Sequence, residues 1–173
     1  MKPTPEFIAK YGNPDADGDG ILDPKWFTQN IKVFTLPFPM VQSWGGSEAA
    51  PVTRFQAHRF AGDRIVAALT KMLALATVQA QIDDGSPPVL EWMRKNEYDV
   101  WGGCFNFRNI RGGTDLSKHA WGAAVDICPA RGAMGDENDK KFYPDWIVAA
   151  FKTEGFEWGG DFPDRVDAMH FEV

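Results

Sequence analysis

The chain has 173 residues, a length that suits one domain with a single hydrophobic core. Hydrophobic residues make up 44% of it, which is enough apolar surface to fold without disulfides or a structural metal. Its net charge of −6 argues against nucleic-acid binding, which needs a basic face, and against strong attachment to anionic membranes.

The beginning of the chain, residues 1–52, is rich in proline, glycine and aromatic residues and shows no sustained period. We predict an irregular arm over residues 1–52 that wraps on a catalytic core over residues 53–173, the two forming a single domain. No apolar run of the signal-peptide type is present, and no stretch approaches the ~20 apolar residues of a membrane span. We expect a monomer that is made in the cytoplasm and does not insert into membranes.

An acidic stretch within this arm starts like a calcium-binding loop. Asp15, Asp17 and Asp19 stand at alternate positions, a glycine occupies the sixth position, and Asp23 the ninth. The twelfth position is Trp26 rather than the glutamate of a complete EF-hand loop. The stretch is either a calcium site that pins the arm or a solvated acidic turn.

Two main helices and several short strands are predicted after the arm. Thr53 and Gln56 have capping-box spacing, which predicts that a long helix begins at Thr53 and ends in the breaker cluster 83–88. The residues expected on its buried face are Ile65, Leu69, Met72 and Ala76. A second helix is predicted over 143–154, and extended segments over 98–107, 120–127, 156–158 and 169–172. A small antiparallel sheet with flanking helices gives an α+β fold.

Two of the three histidines, His119 and His170, lie in segments dense with small and acidic residues, whereas His58 is interpreted as structural. A catalytic zinc commonly takes three ligands from His and Asp or Glu, and His119, Asp126 and His170 supply that set. Because seven residues separate His119 from Asp126, the two would point to opposite faces of a flat strand. Gly122 permits the bend that brings both to one metal.

Two further residue types complete a candidate hydrolytic site. Asp167 lies three residues before His170, where a turn lets its carboxylate take a proton from an attacking water and pass it to the leaving amine. Its alternative role is that of a turn residue or a brace. Negative charge on the attacked carbonyl oxygen needs a cation, and the upstream candidates are Arg108 and Arg111. Arg108 either serves in this way or pairs with a surface acid.

The same residues form a recognisable pattern, Ser117-x-His119-x-x-Gly122-x-Ala124-x-Asp126, followed by Asp167-x-x-His170. This pattern resembles the signature of the VanY-type D-alanyl-D-alanine carboxypeptidase family, in particular the branch that contains phage L-alanyl-D-glutamate endopeptidases. That family shares a superfamily with lysostaphin-type peptidases and the hedgehog signalling domain. The resemblance extends to the segments 107–112 and 155–161 that precede the two motifs.

The resemblance implies a hedgehog-like fold and a zinc ion bound by the two histidines and the aspartate named above, with Asp167 as the base. The family's substrate-stabilising arginine falls on Arg108. Ser117 matches the motif serine, which contacts the substrate or orients the site. We assign Trp158 to substrate binding, with a place in the core or cleft wall as the alternative.

The predicted function is therefore that of a zinc peptidase acting on peptidoglycan stem peptides. It is expected to be a phage endolysin that cuts the L-Ala–D-Glu bond after a holin opens the membrane. The alternative among enzymes is a D-alanyl-D-alanine carboxypeptidase or dipeptidase. The alternative from another class is a non-catalytic, zinc-stabilised virion or binding protein, which would not need the acid at Asp167.

Overall fold

The computed structural model describes residues 2–44, 51–129 and 134–173. Its α-helices are α1 (Pro5–Tyr11), α2 (Pro24–Asn30), α3 (Gly62–Asp84), α4 (Val89–Lys95) and α5 (Asp145–Lys152). Its strands are β1 (Ile31–Gln42), β2 (Val52–His58), β3 (Val100–Gly103), β4 (Ala124–Ile127), β5 (Glu157–Trp158) and β6 (His170–Glu172). Short 3₁₀ helices lie at Lys118–Trp121, Glu137–Phe142 and Gly159–Asp161.

The strands form one six-stranded sheet in the order β2-β1-β3-β4-β6-β5. Neighbouring strands are antiparallel except for β1 and β3, which are parallel. Helices α3 and α5 pack against each other, and α3 also contacts β1 and β2. The α+β class is confirmed, and each extended segment predicted after the arm contains one of the strands. The parallel pair departs from the all-antiparallel sheet expected from the sequence.

Apolar side chains collect in two clusters. The larger lies between the sheet and the helices α3 and α5 and includes Ile65, Leu69, Phe151 and Phe171. The smaller, which we call the N-terminal cluster, joins the beginning of the chain to the 3₁₀ helix Lys118–Trp121. Its buried members are Tyr11, Trp26, Ile31, Ala120, Trp121 and Ala123.

The prediction of an irregular arm over residues 1–52 is wrong for most of the part described. Thr4 caps α1 and Asp23 caps α2, each followed by proline at the first helical position. Both helices have only seven residues, too few to show a helical period. In β1 the pairing with β2 shifts register between Thr35 and Met40, and the prolines within that interval disguise the strand in the sequence.

The prediction of a helix beginning at Thr53 is also wrong, because this segment is strand β2. Phe55 and Ala57 are buried while Gln56 between them is exposed, which is the alternation of a strand and not the period of a helix. The capping-box spacing was therefore coincidental. The long helix α3 begins at Gly62 and buries all four of the predicted core residues.

Helix α3 has 23 residues, and among the described helices it alone is long and apolar enough to cross a membrane. This corrects the expectation that no segment approaches such a span. The helix buries one face, including Ile65, Leu69 and Met72, against the rest of the molecule. That arrangement is also found in core helices of proteins without a membrane span.

His58 is fully buried at the end of β2, where both of its ring nitrogens are engaged. Nε2 donates to the carbonyl of Tyr11 at 3.1 Å, which leaves Nδ1 to accept from the amide of Phe60 at 3.2 Å. Burial lowers the pKa of His58 to about 4, and the charges of Arg59 and Lys10 add to this effect. The ring is therefore neutral in the folded protein, and its environment fits the structural role expected from the sequence.

We expect acid to destabilise the fold through His58. Between the unfolded pKa of 6.5 and the folded pKa of about 4, only the unfolded chain takes up the proton, so stability is lost as the pH falls through this window. The full loss is about 3 kcal/mol. Denaturant unfolding at pH 7 and pH 5 captures about 2 kcal/mol of this loss, because pH 5 still lies above the folded pKa, and His58→Gln is the comparison. An equal pH dependence in both proteins would refute the assignment.

Candidate metal centre and cleft

The structure brings His119, Asp126 and His170 together. His119 lies on the 3₁₀ helix Lys118–Trp121, Asp126 on β4 and His170 at the start of β6, where the register pairs it with Asp126. His119 Nε2 lies 3.2 Å from Asp126 Oδ1 and 3.1 Å from His170 Nδ1, and His170 Nδ1 lies 3.1 Å from Asp126 Oδ1. All three side chains are buried.

Gly122 provides the bend predicted between His119 and Asp126. Its φ of +62° is in the left-handed region, and its amide donates to the carbonyl of His119 at 2.9 Å. A Cβ at this position would lie 2.7 Å from the backbone nitrogen of His58. The turn therefore requires glycine both for its backbone conformation and for its close contact with β2.

Gly122→Ala is expected to lower the free energy of unfolding by more than about 2 kcal/mol, because left-handed strain and a backbone clash act together. Gly85→Ala is the matched control, since Gly85 has a similar φ of +69° but nothing within 4 Å of its virtual Cβ. That control should lose only about 1 kcal/mol. Denaturant titration measures both, and equal losses would show that the contact with β2 is unimportant.

In each of the two histidines, the outer ring nitrogen, which faces away from the cluster, donates a hydrogen bond to another group of the protein. His119 Nδ1 donates to the carbonyl of Cys104 at 2.7 Å, and His170 Nε2 donates to Glu172 Oε2 at 2.9 Å. These bonds fix the tautomers so that His119 Nε2 and His170 Nδ1 present lone pairs toward Asp126. Sequence reasoning missed both partners. Of the two partners, only Glu172 could be anticipated from the sequence, because it lies two positions after His170 and residues two apart on a strand share a face.

The three inward atoms fit a bound metal ion. When both rings are neutral, two nitrogen lone pairs and a carboxylate oxygen converge, an arrangement that needs a cation between them, either a metal ion or a proton. A tetrahedral zinc ion with bonds of about 2.0 Å has ligand atoms about 3.3 Å apart, close to the separations seen here. The donor set, two imidazoles and one carboxylate, is one that catalytic zinc sites use.

The electrostatics of the cluster favour a cation as well. Burial opposes the charge of Asp126, but His119 and His170 outweigh it and hold the pKa of this carboxyl well below its usual range. Burial likewise opposes the charge of His170, but its hydrogen bonds to Asp126 and Glu172 raise its pKa to about 9. In the absence of metal, a proton on His170 therefore supplies the positive charge that the cluster requires.

A cleft of about 390 Å³ opens beside His170 and is lined in part by Asp167, Met169 and Ser117. Among the described residues, Asp167 Oδ1 is buried without a hydrogen-bond partner. Burial raises the pKa of Asp167, partly offset by the positive charge of His170. A carboxylate that keeps one oxygen available and has a raised pKa next to a metal centre has the properties of a general base.

Cations line the same cleft, and they include Arg108, Arg111 and Arg165. Arg108 is half-buried, and its Nη1 donates to the carbonyl of Asn109 at 3.2 Å. Arg111 is exposed and close enough to Asp167 for its charge to oppose the pKa rise of that group. The structure thus places both predicted arginines at the cleft and adds Arg165, for which the sequence offered no signal.

Ser117 lies at the junction of the cleft and the metal centre. It is buried, and its hydroxyl accepts from the amide of His119 at 3.4 Å as the N-cap of the 3₁₀ helix. This contact fits the role of orienting the site, and because Ser117 also lines the cleft, its contact with substrate stays a prediction.

Trp158 does not line this cleft but an adjoining depression, which shares Phe162 and Pro163 with it. Its indole Nε1 donates to the carbonyl of Ala168 at 2.7 Å, and the next residue, Gly159, accepts from the amide of Asp167 at 2.9 Å. The alternative role of Trp158, packing at the edge of the core, fits these contacts. Its effect on the site is to hold the turn that carries Asp167.

The acidic stretch of the arm brings Asp15, Asp17 and Asp19 close enough to hold one ion. Carboxylates of this stretch also accept backbone amides within it, including that of Gly20. Asp23 has a different role, because it caps α2 by accepting from the amides of Lys25 and Trp26. Calcium binding by the first three stays a prediction.

Comparison with known proteins agrees with this geometry. No solved structure matches the chain. A protein family described as D-alanyl-D-alanine carboxypeptidase matches residues 111–173, which contain all three candidate metal ligands as well as Asp167. This segment of the chain is therefore similar to the D-alanyl-D-alanine carboxypeptidase family of peptidases.

Proposed function

We propose that the protein is a zinc peptidase that hydrolyses the L-Ala–D-Glu bond of peptidoglycan stem peptides. The observation that carries the proposal is the convergence of His119 Nε2, Asp126 Oδ1 and His170 Nδ1 beside an open cleft. The family match supports a peptidase. Asp167 Oδ1, which has no hydrogen-bond partner within the described part of the chain, favours catalysis over a purely structural metal.

The chain's own residues divide the work of hydrolysis. Zinc, when held by the three ligands, supplies Lewis acidity that activates water near neutral pH. Asp167 Oδ1 accepts the proton of the attacking water and then delivers it to the leaving amine. Arg108 or Arg111 stabilises the negative charge that develops on the attacked carbonyl oxygen. Ser117 holds the 3₁₀ helix that carries His119.

The charges of the cleft are compatible with cleavage of this bond. In a stem peptide the D-glutamate residue carries a carboxylate close to the L-Ala–D-Glu bond. Three arginines line the cleft, and guanidinium groups bind carboxylates well. A phage endolysin made in the cytoplasm and released through a holin is the setting in which we place this activity.

A second candidate is a D-alanyl-D-alanine carboxypeptidase, favoured by the description of the matching family and by the same arginines, which can hold a terminal carboxylate. Mass analysis of purified peptidoglycan digested with the protein separates the two. New amino ends on D-glutamate support the first candidate, whereas free D-alanine supports the second. Unchanged peptidoglycan would contradict both.

A further inference from the structure

We infer that Glu172 and Lys118 are a buried positioning pair that holds both histidine ligands of the metal in their binding orientation. The inference rests on the proposed zinc site. Lys118 immediately precedes His119, and Glu172 follows His170 by two positions on β6. The ion pair therefore joins the two segments of chain from which the histidine ligands come.

Glu172 is 1% exposed, and each of its carboxylate oxygens has its own partner. Oε2 accepts from His170 Nε2 at 2.9 Å, and Oε1 binds Lys118 Nζ at 3.1 Å. The first contact keeps the proton on the outer nitrogen of His170, so that Nδ1 is available to a metal. An anionic acceptor also makes the imidazole a stronger donor to that metal.

Lys118 is itself 8% exposed and fixed from several sides. Its ammonium lies 3.0 Å from the carbonyl oxygen of Val173 and 5.0 Å from the centre of the Phe7 ring, in addition to its contact with Glu172. The lysine thus couples the 3₁₀ helix carrying His119 to the strand carrying His170 and to helix α1.

Stability alone does not account for this pair. A buried ion pair usually stabilises a fold no more than an apolar pair of similar size, because both charges must be desolvated. An apolar pair could not accept the hydrogen bond that His170 Nε2 donates to Glu172. The pair therefore acts on the metal ligand in addition to filling space.

Two double variants test this role while keeping side-chain volume similar. K118M/E172L removes both charges and the acceptor, whereas K118M/E172Q removes both charges but keeps an amide oxygen that can accept from His170. Zinc affinity, measured by competition with a chromogenic chelator, should fall about 10- to 100-fold in the leucine variant. It should stay within about tenfold of the parent in the glutamine variant.

Equal zinc affinities for the two folded double variants would overturn the inference. A second measurement needs no variant: long-range ¹H–¹⁵N correlation spectra of the zinc-loaded parent should show His170 protonated at Nε2. A proton at Nδ1 would overturn the inference as well.

If the parent binds zinc but cuts no wall peptide, the proposed function is wrong and the positioning pair stands. If the parent binds no zinc, both are wrong.

Discussion

Asp167→Asn should lower the rate of stem-peptide hydrolysis by about 100- to 10,000-fold and leave zinc binding unchanged. Asparagine has nearly the same shape as aspartate but cannot accept a proton from the attacking water. The residue lines the cleft beside His170 without belonging to the set of three metal ligands. The rate on a synthetic stem peptide and the zinc content of the same sample are the two measurements.

Asp164→Asn is the matched control for this variant. Asp164 lines the same cleft but is exposed, so its loss changes the local charge by the same amount without removing the candidate base. We expect its activity to stay close to that of the parent. If Asp167→Asn hydrolyses the peptide as fast as Asp164→Asn, proton transfer does not depend on Asp167.

Removal of the metal has the second large effect. Dialysis against a chelator should abolish hydrolysis, and added zinc should restore it in the parent but not in His119→Ala. That variant removes one of the three candidate ligands found among the described residues and leaves the buried charge of Asp126 with one histidine partner fewer. Zinc content and hydrolysis rate after re-addition are measured together.

His58→Gln controls for the loss of a histidine as such. His58 is buried and engaged by Tyr11 and Phe60, outside the metal cluster. At neutral pH we expect this variant to bind zinc and regain activity like the parent. Full recovery of activity by His119→Ala would remove His119 from the ligand set.

The chemistry of the candidate site was largely predictable from the sequence. His119, Asp126 and His170 stood out because few residue types bind zinc, and Gly122 marked the bend that their spacing demands. The groups that accept hydrogen bonds from the outer ring nitrogens of the histidines were harder to predict. The carbonyl of Cys104 has no sequence signal, because any residue carries one, and the acceptor role of Glu172 follows only once residues 170–172 are known to form a strand.

The fold was predicted less evenly. Helix α3 is long enough for its buried period to show, and Ile65 and Met72 were placed correctly. Its beginning was misplaced because a capping-box spacing near Thr53 competed with the shorter alternation of strand β2. Strand β1 was missed because its prolines coincide with a change of register against β2, a tertiary feature that propensity does not encode.

The central claim is that one metal ion is held by His119, Asp126 and His170. A crystal of the zinc-loaded protein, with anomalous scattering collected on both sides of the zinc edge, tests it most directly. We predict a single peak about 2.0–2.2 Å from His119 Nε2, an oxygen of Asp126 and His170 Nδ1. A zinc-loaded crystal with no peak between these three side chains would contradict the account.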